Sequence, residues 1–248
     1  MRMPIAMMLG VMLLAVPVFK AIAQGGWLDK GSDLLKGLGG GSESSGVLSN
    51  ADIASGLVEA LKVGTKRVVS SLGKADGFNK SPDVHIPLPG TLAKVKKVLA
   101  PLGMGAMADD LELRLNRAAE AAAPRAKRLF WDAITQMTLE DVRKIYDGPK
   151  DAATQYFRSK MSRPLAKDMQ PIVSDELGRV GAIQSYDAMN GQYKSLPFVP
   201  DAKANLTEYV LEKAIDGIFL YLGREEAAIR ENPAKRTTAI LQKVFGAR

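Results

Sequence analysis

The chain of 248 residues has no cysteine, a single histidine, and aromatics at only 6%. Without cysteine it has no disulfide, no thiol nucleophile, no cysteine-bound metal and no lipidated N-terminal cysteine. One histidine excludes any site built on two imidazoles, such as His-Glu-x-x-His. A Ser-His-Asp triad would have to use His85, which lies in a proline-rich connection rather than in the rigid setting such a base needs. Its plainer reading is a surface or loop-packing histidine. The scarcity of aromatics argues against a large aromatic-lined cleft for a sugar or nucleotide. No strand pattern of consequence and no internal repeat is found. The residues supply no catalytic set and imply no cofactor.

What is present is ordinary for a folded protein: 46% apolar and 25% charged residues, in a chain long enough to bury roughly 70% of its unfolded surface. The formal charge of +7 suits anionic lipid or surface partners without requiring them. Dispersal of the basic residues among acids, with few aromatics between them, argues against nucleic acid. Residues 1–23 read as a secretory signal peptide: Arg2, an apolar run from Ile5 to Phe19, then Ala21-Ile22-Ala23 before Gln24. That run is too short for a comfortable span of about 20 residues, so no transmembrane segment is expected after cleavage near Ala23. Export follows, to the periplasm where the cell has two membranes. Residues 24–46 read as a short helix over 27–38, bearing Trp27, and a flexible linker, Gly39-Gly40-Gly41-Ser42-Glu43-Ser44-Ser45-Gly46. The folded domain is expected over 47–246.

Within it the periodicity is helical. Ser49 with Asp52 opens a helix whose stripe is Ile53, Leu57, Leu61, Gly64, Val68 and Leu72, closed by Gly73. Residues 74–90, with Asp76-Gly77, Pro82, Pro87 and Pro89, form a connection long enough to demand a function or a packed course. Its Phe78, Val84, Ile86 and Leu88 favour packing over the core. Leu92, Val95, Leu99 and Leu102 mark a helix. Residues 104–137 continue helical with a break or kink at Pro124, along Leu111, Leu115, Ala118 and Ala122, then Leu129, Ala133, Ile134 and Met137. Further helices are expected from Thr138, from Asp151, from Ser162-Pro164 with Pro171 kinking or dividing it, and over 183–194 ending at Leu196-Pro197-Phe198. Asn205 with Glu208 opens the last long helix, reaching Glu231 along Val210, Leu211, Ala214, Ile218 and Leu222. Pro233 is placed to begin a final one through Phe245. The expected fold is all-α, a single bundle-like domain of many helices.

The segment 136–158 gathers the densest polar groups: Glu140, Asp141, Asp147, Asp151, Thr154 and Tyr156. Asp141, Asp147 and Asp151, or Glu208, Glu212 and Asp216, have the chemistry of hard-cation ligands or of an acid–base pair. Neither set has the spacing of a calcium loop. Their structural roles would be caps, at Ser49, Thr138, Asp141 and Asn205, and pairing of the later set with Arg114, Arg117 or Arg128. Those arginines, with Arg125, read as a basic stripe that is either solvated or turned to an anion.

The ordered series Leu48-Ser49-Asn50, Leu72-Gly73-Lys74, Asp76-Gly77-Phe78, Ile86-Pro87-Leu88-Pro89 and Leu115-Asn116-Arg117-Ala118-Ala119-Glu120 resembles a bacterial family of unknown function, number 4197. The likeness continues through Met137-Thr138 with Asp141, Ala152-Ala153-Thr154-Gln155-Tyr156-Phe157, Leu196-Pro197-Phe198, Lys213-Ala214-Ile215-Asp216-Gly217 and Asn232-Pro233-Ala234-Lys235-Arg236-Thr237-Thr238. It covers roughly 47–246 and implies an exported helical protein and no reaction. Polar residues of these motifs that helix formation does not require are the candidate positions: Asn116, Arg117, Glu120, Thr154, Tyr156, Asp216, Arg236 and Thr237. They would form either a ligand site or a buried network tying helices together. Three functions stay open: a binder of an apolar or amphiphilic ligand such as a lipid, an envelope-protein interaction module, and a carboxylate metal site or enzyme. No metal ligand set is assigned.

Overall fold

The computed structural model describes residues 48–193 and 205–246. The expected leader, the expected helix over 27–38, the expected linker and the expected helix end at Leu196-Pro197-Phe198 fall outside the described residues. Helix α1 spans Asn50–Leu72, begun by a capping box in which Ser49 accepts from the Asp52 amide and Asp52 returns the bond to Ser49, and ended at Gly73. The expected stripe is buried apart from Ile53, which packs half-buried against the core. α2 (Gly90–Leu99) buries Leu92, Val95 and Leu99. Leu102, expected on that stripe, is instead 56% exposed. The chain tightens there into a 3-10 turn over Ala100–Leu102, ending at Gly103 with φ of 77°, which turns Leu102 away from the core.

α3 (Gly105–Ala122) and α4 (Ala126–Thr135) are separated by a 3-10 turn, Ala123–Arg125, at Pro124. α5 (Leu139–Asp147) starts with a second capping box, Thr138 with Asp141. α6 runs unbroken over Ala152–Arg179 with Pro164 and Pro171 inside it, where a new start at Ser162-Pro164 and a kink or division at Pro171 were expected. Its buried residues explain the outcome: Met161, Leu165, Met169, Val173 and Leu177 recur every four residues. Both prolines are exposed, so the carbonyls they leave without donors face water. α7 spans Ala182–Tyr193. α8 spans Leu206–Glu231, with the Asn205 side chain accepting from the Glu208 amide at 3.0 Å. Pro233 opens only a 3-10 turn, Pro233–Lys235, and the last helix, α9, begins later, at Ala239–Gly246.

No strand occurs among the described residues. α8 packs along α6 and also touches α1 and α3; α1 carries α4, α5 and α9 on its other sides, while α3 meets α6 and α7. The connection 74–89 lies on this frame with Phe78, Val84, Ile86 and Leu88 buried. It comes so close to α8 that a Cβ on Gly217 would stand 2.9 Å from the Phe78 ring. Phe130, Phe157 and Phe219 meet edge to face at the centre. Replacing Pro171 by Ala is expected to stabilise the protein by about 1–3 kcal/mol in urea unfolding; a loss of stability would show that packing needs the helix shape the proline gives.

Candidate functional site

Glu112, Asn116 and Glu120 are four residues apart, on one face of α3, and the connection 74–89 is fastened to them. Having no helix of its own, its backbone must find partners elsewhere. The buried Asn116 amide accepts from the Ile86 amide at 2.9 Å and donates to the Ile86 and Glu112 carbonyls at 2.8 Å each. Glu120 accepts from the Phe78 and Asn79 amides at 3.1 and 3.0 Å, and from Arg117 at 2.7 Å. Arg117 reaches on to Asp76 at 2.8 Å, and its guanidinium is held above its ordinary range, first by Glu120. Asp76 adopts the left-handed φ of 67°. Lys80 foremost, then Asn79 and Arg117, hold its carboxyl well below the usual range. His85 closes the seam: its Nδ1 donates to the Asn79 carbonyl and its Nε2 meets Glu112, both at 2.8 Å.

A second seam joins α5 to α6 at Gly148-Pro149. The first amides of α6 need acceptors and the last carbonyls of α5 need donors. Asp151 makes no side-chain cap bond. Glu226, from α8, takes the Ala153 and Thr154 amides and the Thr154 hydroxyl, each at 2.9 Å. One turn further on, Arg230 donates to the Ile145 and Tyr146 carbonyls at 2.7 and 3.2 Å. The two side chains pair at 3.0 Å and are only 8% and 7% exposed. Arg236 then donates to the Ile229 and Arg230 carbonyls at 3.1 and 2.8 Å, capping the end of α8.

The candidate positions therefore divide. Asn116, Arg117 and Glu120 meet on the connection; Thr154 and Arg236 attend the corner. Tyr156 bonds Asp141, and burial with that carboxylate's charge pushes its phenol up. Asp216 is half exposed and pairs with Arg158 of α6 at 2.8 Å. Arg114, Arg117 or Arg128 had been expected there, but these bind Asp110, Asp76 with Glu120, and Asp132. The Thr237 hydroxyl accepts from Arg67 at 3.5 Å, and its amide donates to the Lys235 carbonyl at 3.1 Å. The carboxylate triplets do not converge: Asp141 serves its cap, Asp151 binds Gln155, and Glu208 binds Asn205. Among the described residues no group of three or more His, Cys, Asp or Glu is placed to hold a metal ion. Glu226 and Arg230 escaped the sequence reading. The signal was there, since Glu226 falls four residues after Leu222 and three before Ile229, where the buried stripe calls for an apolar residue.

The core leaves little room: the space between α1, α8 and α9, lined by Leu57, Leu222, Ile229 and Phe245, is about 10 Å³, room for one water at most. A larger, open groove of about 500 Å³ runs between α4 and α6. Leu129, Ala133, Phe157, Met161 and Leu165 supply its apolar wall; Arg128, Asp132, Tyr156, Lys160 and Asp168 stand among them as polar lining.

These features define an all-α protein whose long connection and helix corner are each fastened by buried carboxylates from a neighbouring helix. The family described as Protein of unknown function (DUF4197) matches residues 47–246, and the chain belongs to that family. No curated protein and no solved structure matches it.

Glu226→Ala leaves Arg230 buried without its counter-charge, and is expected to cost about 3–5 kcal/mol in denaturant unfolding; a change within experimental error would mean that water replaces the carboxylate. The lowered pKa of Asp76 stabilises the fold above the unfolded-state value of about 3.9 and is lost as pH falls below it. Amide exchange at Phe78 and Asn79 is therefore expected to accelerate in acid relative to the α1 core. Asp76→Asn should flatten that difference.

Proposed function

We propose that the protein is an exported, non-catalytic binding module for an amphiphilic ligand such as a lipid, held in the groove between α4 and α6. The observation that carries this reading is the groove itself, of about 500 Å³. That volume lies within the range of ligand sites, roughly 300–1,000 Å³. Its apolar wall suits an acyl chain, and its polar lining suits a head group. Lys160, which also acts on the Asp141 carboxylate, and Arg128 bring positive charge to the groove beside Asp132 and Asp168, a mixed lining that suits a head group bearing both charges. Arg128 is held only loosely, 3.4 Å from Asp132. No helix of the described residues is long and apolar enough to cross a membrane, and export rests on the character of residues 1–23.

Mass spectrometry on protein isolated from periplasm without detergent tests both parts. The expected result is a chain beginning at Gln24 that carries one extractable lipid. Ala133→Trp, which fills the groove, is expected to abolish that mass increment while keeping the helical circular-dichroism signal. A lipid-free mass, with no uptake of added lysophospholipid, would overturn the lipid reading. Absence of the chain from the periplasmic fraction would overturn export, and a chain retaining Met1 would overturn cleavage near Ala23.

A further inference from the structure

We propose that the outer faces of α1 and α4, centred on Trp131, form a docking surface for a bilayer with anionic head groups. Trp131 is 38% exposed and is flanked by two ammonium groups, Lys127 at 4.6 Å and Lys62 at 5.8 Å from its ring centroid. Lys127 lies one turn before it on α4, whereas Lys62 comes from α1. The two helices run in opposite directions: Lys62 meets Trp131, while at the other end of α1 a Cβ on Gly73 would stand 2.6 Å from Pro124. This alignment brings Lys66, one turn beyond Lys62, onto the same face, and places Lys74 and Arg125 at the same end.

None of Lys62, Lys66, Lys74, Arg125 and Lys127 takes part in a salt bridge among the described residues. The acids nearby are Glu59, on the same face of α1, and Asp132, which already holds Arg128. The surface thus keeps an excess of unpaired positive charge around one exposed indole. An indole suits the head-group boundary, where its body is shielded and its N–H stays wet. Unpaired lysines beside it complement anionic lipid. Among the described residues no element encloses this surface, so it fits an extended sheet of charge better than a single small anion. With one exposed aromatic, it lacks the stacked platform that single-stranded nucleic acid uses. The inference concerns a different surface from the α4–α6 groove and stands without it.

The test uses the full mature chain with vesicles of phosphatidylcholine alone or mixed equally with phosphatidylglycerol. Binding to the mixed vesicles alone is expected, weakening about tenfold or more between 0.05 and 0.5 M salt as screening shortens. Trp27→Phe leaves Trp131 as the sole tryptophan, and its emission is expected to shift to the blue on the mixed vesicles without any change to the surface itself. Lys62→Glu with Lys127→Glu is expected to reduce partitioning about tenfold or more. Unchanged emission, or partitioning unaffected by the charge reversals, would overturn the proposal and assign binding to another part of the chain. Equal affinity for a short DNA duplex would overturn it as well, by showing a general polyanion surface. Ala133→Trp separates the two readings: loss of the bound lipid with vesicle binding intact removes neither, whereas vesicle binding that disappears with the lipid would make the groove responsible and sink this proposal.

Discussion

The pairing of Glu226 with Arg230 is the constraint on which the arrangement of helices depends. Two helix ends meet at Gly148-Pro149, one presenting bare amides and the other bare carbonyls, and both are shielded from water by α8. A single i,i+4 pair answers both, the carboxylate taking the amides and the guanidinium the carbonyls. Each charge is desolvated at a cost that its partner and the helix dipoles offset. Remove either and the other is stranded. The direction α6 takes away from α5, and so the line along which α6 meets α8, is set at this point.

The seam on α3 solves a related problem with different means. A connection of this length ordinarily runs over the surface, because its backbone polar groups need water. Here four apolar side chains pull it into the core, and Asn116 and Glu120 supply the hydrogen bonds that water would have given. The two seams consume Asn116, Arg117, Glu120, Thr154 and Arg236 from the polar residues that looked most suited to a ligand. The proposed binding places therefore lie elsewhere, where the packing is open between α4 and α6 and on the lysine-rich face around Trp131.

Most helix limits were legible in the sequence because caps and apolar spacing are local. Ser49-Asp52, Thr138-Asp141 and Asn205-Glu208 each mark a start within one residue, and the whole expected stripe of α8 is buried. The misreadings share a cause. A local rule reads Ser162-Pro164 as a start and Pro171 as a kink or division, yet five buried side chains along α6 outweigh two missing hydrogen bonds. Pro233 suited a helix start but opened a 3-10 turn, and the next helix waited until Ala239. The partners of Glu226 lie 72 and 73 residues away, so no window along the chain contains them. The groove was illegible for the same reason: Leu129 and Ala133 read as core, and only their meeting with Met161 and Leu165 leaves a space between them.

The distance along the chain between the corner and its fastening also orders events during synthesis. When the corner between α5 and α6 has left the ribosome, the residues that fasten it are still 72 to 85 positions behind, and it has unsatisfied amides and carbonyls with nothing to bind. It can close only after α8 has emerged, which makes it a late, non-local event rather than a nucleus. The amino-terminal half is thus made before the molecule has the parts to hold its own turn.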